Sequence, residues 1–186
     1  MSLACHDLRT PLATVHGFAR TLIRMEDVGD PMARYLAIME EATSQMGDLL
    51  EDLAVAARIE GGRYDPALRE ADTLDLARAA SALLDGRVDV SGEGGTVTVE
   101  PEATERSVYN LARCAIRHGA LERLELVANG PELCFAPITV EAMPIVLAED
   151  LRDLGSATAR RVIEALGGSL ELDGERLVVS LPAAPG

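Results

Sequence analysis

Residues 5–12 read Cys-His-Asp-Leu-Arg-Thr-Pro-Leu, and this stretch decides what the rest of the chain is expected to be. Residues four apart share one face of a helix, so His6 and Thr10 point outward together while the leucines turn inward. A neutral imidazole nitrogen is a nucleophile that can accept a phosphoryl group. The neighbouring carboxylate of Asp7 is suited to holding the other ring N–H. The stretch therefore predicts a helix with His6 on its outer face. Taken alone, such a histidine is more typical of an ordinary surface residue than of a reactive one, and both interpretations stay open at this point.

Composition limits the kinds of protein this chain can be. Its 186 residues fit one sizeable domain or two small ones, and 48% of them are apolar, which is enough for a core. The net charge of −14 disfavours nucleic acid and anionic membranes as partners, because both would repel it. The cysteines, Cys5, Cys114 and Cys134, are odd in number and lack metal-ligand spacing, so a reduced cytoplasmic protein is expected. Cys5 is expected to be a small buried helix residue rather than a reactive thiol.

The first 62 residues are expected to form a helical hairpin. From Leu8, apolar residues recur in alternating steps of four and three, which is typical of a coiled-coil-like seam. The stretch Val-Gly-Asp-Pro at 28–31 ends this pattern and supplies a cap and a first-turn proline for a second helix, which ends at Gly61. A lone hairpin cannot bury both seams, so we predict a homodimer in which two hairpins form a four-helix bundle; the alternative is that the hairpin packs on its own chain. The seam residues are Leu8, Leu12, Val15, Ala19 and Leu22 in the first helix and Leu36, Met39, Thr43, Met46, Leu50, Leu53 and Ala57 in the second.

Residues 73–186 alternate strands with helices after a linker at 63–72. The order of these elements is typical of an α/β sandwich with its helices on one face. The predicted helices span about 74–84, 104–118 and 157–166, and the predicted strands span 88–90, 96–99, 124–128, 133–135, 169–172 and 177–181. His118 and Gly119 are expected to end a helix rather than to form a second catalytic site. The expected fold class is α+β, with a dimeric four-helix bundle formed by residues 1–62 and the sandwich after it.

The string His-Asp-Leu-Arg-Thr-Pro-Leu at 6–12 closely resembles the phosphoacceptor motif of two-component sensor histidine kinases. The resemblance implies that His6 is the covalent phosphoryl carrier and that Asp7 orients its ring. It aligns Thr10 with the residue that positions water in those kinases that also dephosphorylate regulators. Arg9 is expected either near the phosphate or in a structural role.

The last third of the chain resembles the ATP-binding domain of the same family. Residues 154–155, Leu-Gly, and 159–168, Ala-Arg-Arg-Val-Ile-Glu-Ala-Leu-Gly-Gly, are similar to the segment that begins with the second glycine box. Residues 180–182, Ser-Leu-Pro, resemble the usual end of that domain. The resemblance implies the fold that these kinases share with gyrase and Hsp90.

The positions that contact nucleotide in the family have changed here. The asparagine box, Asn-Leu-x-x-Asn-Ala, aligns with residues 110–115, so Cys114 replaces the asparagine that binds Mg²⁺, and its soft sulfur is a poor ligand for that ion. No Asp-x-Gly-x-Gly motif is found between residues 124 and 139. In the second glycine box, Asp153 replaces the first glycine and would repel a triphosphate, and only Gly155 remains. The resemblance with these three losses predicts a degenerate domain that does not bind ATP.

The combined expectation is a histidine phosphotransferase of a two-component phosphorelay. His6 would carry a phosphoryl group to or from an aspartate on a response-regulator receiver domain, whose acidic cluster would hold the Mg²⁺, so no cofactor is expected on this chain. The expected partners are the receiver, an upstream kinase or phosphodonor protein, and a second copy of the chain. Two alternatives stay open: an ATP-dependent sensor histidine kinase with divergent nucleotide boxes, and a non-catalytic pseudokinase scaffold that binds a regulator.

The sequence predicts a cytoplasmic protein without direct membrane insertion. No segment approaches the roughly 18 apolar residues of a membrane helix, and no signal peptide precedes the first helix. Sensor kinases commonly carry input and membrane segments before the phosphoacceptor motif. We therefore expect either that such a region has been trimmed or that another protein supplies the signal.

Overall fold

The computed structural model describes the backbone of residues 2–24 and 30–184 and the side chains of residues 12–24 and 32–184. Within it the chain divides into two compact units, Met1–Glu60 and Gly61–Gly186. Among the described residues, no helix is both long enough and apolar enough to cross a membrane.

The first unit is an antiparallel hairpin of two helices, which confirms the predicted architecture. Helix α1 spans Ser2–Ile23 and α2 spans Asp30–Glu60. Proline at the second position of α2 fits there because the first turn of a helix has no partner for that backbone N–H. The helix ends directly before a pair of glycines, of which Gly62 has a φ of 61°, a conformation that favours glycine. The predicted turn residues at 28–29 lie outside the described part of the chain.

The two helices of the hairpin meet along a narrow seam. Ala19 and Leu36 are buried there, and His16 Nδ1 lies 3.0 Å from Thr43 Oγ1. The Thr43 hydroxyl also donates to the Met39 carbonyl oxygen at 2.8 Å, so this threonine joins a side chain of α1 to the backbone of α2. Of the predicted seam residues whose side chains are described, three are buried (Ala19, Leu36 and Thr43), four are partly buried (Leu12, Leu50, Leu53 and Ala57) and four are exposed (Val15, Leu22, Met39 and Met46).

The second unit contains a five-stranded sheet, a two-stranded sheet and four helices. The strands are β1 Arg69–Asp72, β2 Val88–Gly94, β3 Thr96–Val99, β4 Leu124–Gly130, β5 Glu132–Ala136, β6 Ser169–Asp173 and β7 Arg176–Ser180, and the helices are α3 Thr73–Ser81, α4 Pro101–His118, α5 Met143–Val146 and α6 Leu154–Ala165. The large sheet has the strand order β2-β4-β5-β7-β6, in which only β2 and β4 are parallel. This mixed architecture confirms the predicted α+β fold class.

The core of the second unit lies between the large sheet and its helices. Leu126 of β4 pairs with Phe135 of β5, and both are fully buried. Their neighbours Glu125 and Cys134 are less buried, because successive residues of a strand point to opposite faces. Helices α3, α4 and α6 pack against strands of this sheet and cover the apolar face.

Strand β1 occupies the last four residues of the segment that was predicted to be a linker. Its sequence, Arg-Glu-Ala-Asp, has no apolar alternation, and its regular structure comes from antiparallel pairing with β3. The carboxylate of Asp72 then accepts the Leu74 N–H at 2.8 Å and so caps α3. The glycine-rich stretch 92–95, expected to separate two strands, mostly continues β2.

Beyond β7, the chain returns to the small sheet. The Thr98 N–H donates to the Pro182 carbonyl oxygen at 2.9 Å, and the Ala184 N–H donates to the Thr96 carbonyl oxygen at 3.0 Å. Residues 182–184, the return segment, therefore lie along the side of β3 that β1 does not occupy.

Gly92 holds a position in which a side chain cannot be accommodated. Its φ is 99°, and a Cβ atom there would overlap the Ala128 carbonyl oxygen of the neighbouring strand. Gly130 also has a positive φ, 56°, but open space where its Cβ would lie. We expect Gly92→Ala to lower the free energy of unfolding by about 3 kcal/mol or more and Gly130→Ala by only about 1 kcal/mol, measured by denaturant unfolding. Equal losses in the two variants would contradict the overlap at Gly92.

Candidate functional site

The predicted phosphoacceptor residues all lie in the first half of α1. The backbone is helical from Ser2 to Ile23, so His6 and Thr10 are one turn apart and share a face. The side chains of His6, Asp7, Arg9 and Thr10 lie outside the described residues, and their roles stay predictions.

In the second unit, α4 places a polar row on its face toward α6. Asn110, Cys114 and His118 follow at intervals of four residues, and the first two are buried, at 3% and 0% exposure. A Cβ atom on Gly155 of α6 would lie 3.0 Å from Asn110 Cγ, so the two helices approach closely at this glycine. Residues 110–115 of α4, which align with the asparagine box, therefore lie next to residues 153–155 at the start of α6, which align with the second glycine box.

Asp153 is buried at the start of α6 and makes two contacts there. Its Oδ1 accepts the Ser156 N–H at 3.0 Å, which caps the helix. Its Oδ2 lies 3.4 Å from His118 Nε2, and the His118 side chain is 19% exposed. The carboxylate is thus held by the protein at the position where the resemblance implies a glycine beside the triphosphate.

The Cys114 thiol lies in the same cluster and is protonated at neutral pH. Burial is the main cause that raises the pKa of this thiol to about 12, and the negative charge of Asp153 acts in the same direction. A hydrogen bond with Ser156 and the charges of Arg113 and Arg117 oppose the shift. A neutral buried thiol offers no oxygen to Mg²⁺, which requires hard ligands. The donor set at this position therefore does not fit a Mg²⁺–triphosphate complex.

The sequence predicts that His118 ends a helix, and the structure confirms that α4 ends there. The structure also shows that His118 lies close to Cys114 and Asp153. The Cys114 sulfur, one imidazole nitrogen of His118 and one carboxylate oxygen of Asp153 lie within 4.8 Å of one another. The spacing Cys114-x-x-x-His118 was present in the sequence as a one-turn pair. Asp153 could not be found that way, because it reaches the pair only through the packing of α6 on α4.

Comparison with known proteins assigns the first unit. Residues 1–62 match the family model of the His Kinase A (phospho-acceptor) domain. The phosphate regulon sensor protein PhoR of Pseudomonas aeruginosa is 34% identical over 87 residues, covering 44% of this chain and 20% of that protein. The probable sensor histidine kinase TcrY of Mycobacterium tuberculosis is 31% identical over 100 residues, covering 53% of this chain and 20% of that protein. The chain spans about a fifth of the length of these curated relatives.

Solved structures show the same fold over both units. Full-length ShkA in complex with AMPPNP superposes with a TM-score of 0.72 at 21% identity, over 99% of this chain and 45% of that chain. The Acinetobacter baumannii histidine kinase AdeS gives 0.61 at 17% identity, over 97% of this chain and 98% of that one. The ATP-binding domain of PrrB from Mycobacterium tuberculosis gives 0.52 at 23% identity, over 64% of this chain and 99% of that one.

Residues 1–62 therefore form a domain of the His Kinase A (phospho-acceptor) kind, and the sheet unit that follows has the fold of the solved histidine kinase structures. The match of residues 1–62 to the phospho-acceptor domain agrees with the resemblance of the motif at His6 to that of sensor histidine kinases.

Proposed function

We propose that this chain is a histidine phosphotransferase of a two-component phosphorelay, carrying a phosphoryl group on His6 without binding ATP. The proposal rests on two observations taken together. The chain has a phospho-acceptor domain with the motif at His6, and in its kinase-type unit the buried residues Cys114 and Asp153 occupy positions that contact nucleotide in the family. The buried thiol and the buried carboxylate are both unfavourable neighbours for a Mg²⁺–triphosphate complex. The remaining sheet unit then contributes docking surface rather than catalysis.

In the proposed reaction, an imidazole nitrogen of His6 attacks the phosphorus of an aspartyl phosphate on the receiver. The N–P bond forms as the P–O bond to the aspartate breaks, and the aspartate leaves as a free carboxylate; the reverse step returns the phosphoryl group. Asp7 accepts the other ring N–H and stabilises the positive charge that develops on the imidazole. Thr10 positions water when the phosphoryl group is hydrolysed instead, and Arg9 lies near the phosphate or supports the helix. Mg²⁺ is supplied by the receiver's own acidic cluster.

The proposed partners follow from this chemistry. They are a response-regulator receiver domain, an upstream kinase or phosphodonor protein, and a second copy of this chain that completes a four-helix bundle. The net charge of −14 supports protein partners over nucleic acid. The proposed compartment is the cytoplasm, where the thiols stay reduced.

A second candidate is an ATP-dependent sensor histidine kinase with divergent nucleotide boxes. It is favoured by the similarity to ShkA, whose structure is a complex with AMPPNP, and to the ATP-binding domain of PrrB. The two candidates differ in one property, the binding of nucleotide by the second unit.

Calorimetric titration with ATP·Mg²⁺ separates the two candidates. We expect no saturable heat with the wild-type chain at millimolar nucleotide, because the Asp153 carboxylate and the Cys114 thiol oppose the triphosphate and its ion. The matched assay is transfer of labelled phosphate from a phosphorylated receiver domain to the same protein preparation, and we expect His6 to become labelled. Saturable binding together with labelling of His6 by ATP would instead establish the kinase.

A further inference from the structure

The cluster of Cys114, His118 and Asp153 has the composition of a site for a transition-metal ion. Thiolate sulfur, imidazole nitrogen and carboxylate oxygen are the three ligand types that proteins use for Zn²⁺. Cys114 and His118 project from one face of α4, one turn apart, and Asp153 comes from the start of α6. Three ligands from two packed elements leave the fourth tetrahedral position for water.

The distances fit tetrahedral coordination with little movement. Metal–ligand bonds of 2.0–2.3 Å at tetrahedral angles place ligand atoms about 3.3–3.6 Å apart. His118 Nε2 and Asp153 Oδ2 lie 3.4 Å apart. All three ligand atoms lie within 4.8 Å of one another, so the Cys114 sulfur has to move by no more than about 2 Å to complete the set.

The charges also suit a divalent ion in a buried place. A thiolate and a carboxylate neutralise a doubly charged cation, and a neutral imidazole adds no charge, so the complex is neutral. The second oxygen of Asp153 stays on the Ser156 N–H, which fixes the orientation of the ligating oxygen. Cys114 is fully buried and the Asp153 side chain is 5% exposed, while the partly exposed His118 side chain gives the ion a path from solvent.

We propose that Cys114, His118 and Asp153 form a binding site for Zn²⁺ or a similar transition-metal ion between α4 and α6. On binding, the Cys114 S–H bond breaks, the sulfur electron pair forms the metal bond and the proton leaves to solvent, while His118 binds as neutral imidazole through Nε2. The ion fastens the end of α4 to the start of α6. This site is independent of phosphoryl transfer at His6, so either proposal can fail alone.

Cobalt titration of the full chain, freed of any affinity tag and of bound metal, tests the site. Co²⁺ is the probe because a thiolate ligand gives a sulfur-to-cobalt charge-transfer band in the near ultraviolet. We expect that band, together with the strong visible absorption of tetrahedral Co²⁺, to saturate at one ion per chain and to disappear when Zn²⁺ is added. Absence of the band in the wild-type chain would overturn the proposal.

Variants identify the ligands. We expect Cys114→Ser to remove the charge-transfer band, and His118→Gln to weaken Co²⁺ binding by about 100-fold or more. The matched controls, Cys5→Ser and Cys134→Ser, remove the other two thiols of the chain and should keep the band. If circular dichroism shows that Cys114→Ser does not fold, the Co²⁺ affinity of His118→Gln becomes the test of the site. His118 is partly exposed and ends a helix, so its replacement is expected to be tolerated. A band that survives Cys114→Ser, an affinity unchanged by His118→Gln, or a band lost in either control places the metal elsewhere and refutes the site.

Discussion

His6→Gln is expected to abolish labelling of the chain by a phosphorylated receiver domain. Glutamine keeps a polar side chain on the helix but has no nucleophilic ring nitrogen, so no N–P bond can form. The label on the wild-type chain should be lost in acid and retained in alkali, as a phosphoramidate requires. Electrophoresis of the labelled protein after each treatment measures both properties.

His16→Gln is the matched control for His6→Gln. The chain has three histidines, and His16 lies in the same helix as His6, with its imidazole held 3.0 Å from Thr43 Oγ1. Its loss removes one hydrogen bond of the hairpin, worth about 1 kcal/mol, and should leave labelling near the wild-type level. Labelling that persists in His6→Gln and disappears in His16→Gln would move the phosphoacceptor to the second histidine. If no receiver or kinase labels the wild-type chain, the phosphotransferase proposal is wrong and the non-catalytic scaffold is the alternative that fits.

The double variant Phe18→Asp, Met39→Asp is expected to convert a dimeric chain into a monomer. Phe18 is 68% exposed and Met39 is 45% exposed in the single hairpin. They belong to an apolar stripe on each helix: Val15, Phe18 and Leu22 on α1, and Met32, Tyr35, Met39 and Met46 on α2. A four-helix bundle would bury both stripes, and a carboxylate placed there would have to be desolvated.

Helix geometry places the two stripes on the same side of the hairpin. A helix turns by about 100° per residue, which gives the angular position of each side chain around its axis. On this count, each stripe lies about a quarter turn away from the residues that face the other helix. The displacement has the same rotational sense in both helices, and the helices are antiparallel, so the stripes lie side by side. A second hairpin can therefore cover both at once.

Sedimentation equilibrium measures the predicted change. We expect the double variant to raise the dimer dissociation constant by at least about 100-fold, equivalent to about 2.7 kcal/mol, with helix content retained. The control variant, Leu83→Asp with Leu151→Asp, changes two residues of the second unit that are each 69% exposed, and it should leave the constant unchanged. A wild-type chain that stays monomeric at all concentrations, or a double variant that stays dimeric, would contradict the four-helix bundle.

The sequence predicted those elements whose apolar residues repeat. Helices α1, α2 and α4 and the strands of the large sheet show such periodicity, and they were found with errors of a few residues at their ends. Strand β1 was not predicted, because its four residues are ordered by hydrogen bonds to β3 rather than by their own pattern. Helix α5, with four residues, is too short to show a helical repeat.

The predicted phosphoacceptor and the proposed metal site also differ in whether the sequence alone could reveal them. His6 was predicted as the phosphoacceptor from a string of adjacent residues, because the motif that suggests this role is local in the chain. The proposed metal site combines Cys114 and His118 with Asp153. Only the packing of α6 on α4 brings the Asp153 carboxylate close to the thiol and the imidazole. Cysteine spacing alone had indicated no metal site, because just one of the three ligands is a cysteine.

The return segment at 182–184 has a consequence for biosynthesis. Strand β3 leaves the ribosome early, but the partner along one of its sides is made only after the whole large sheet has been translated. Until then the Thr98 N–H and the Thr96 carbonyl oxygen lack these partners, and the small sheet has an open edge. During translation this edge can pair with a strand from another nascent chain, while the helical hairpin, made before the second unit, can already have folded.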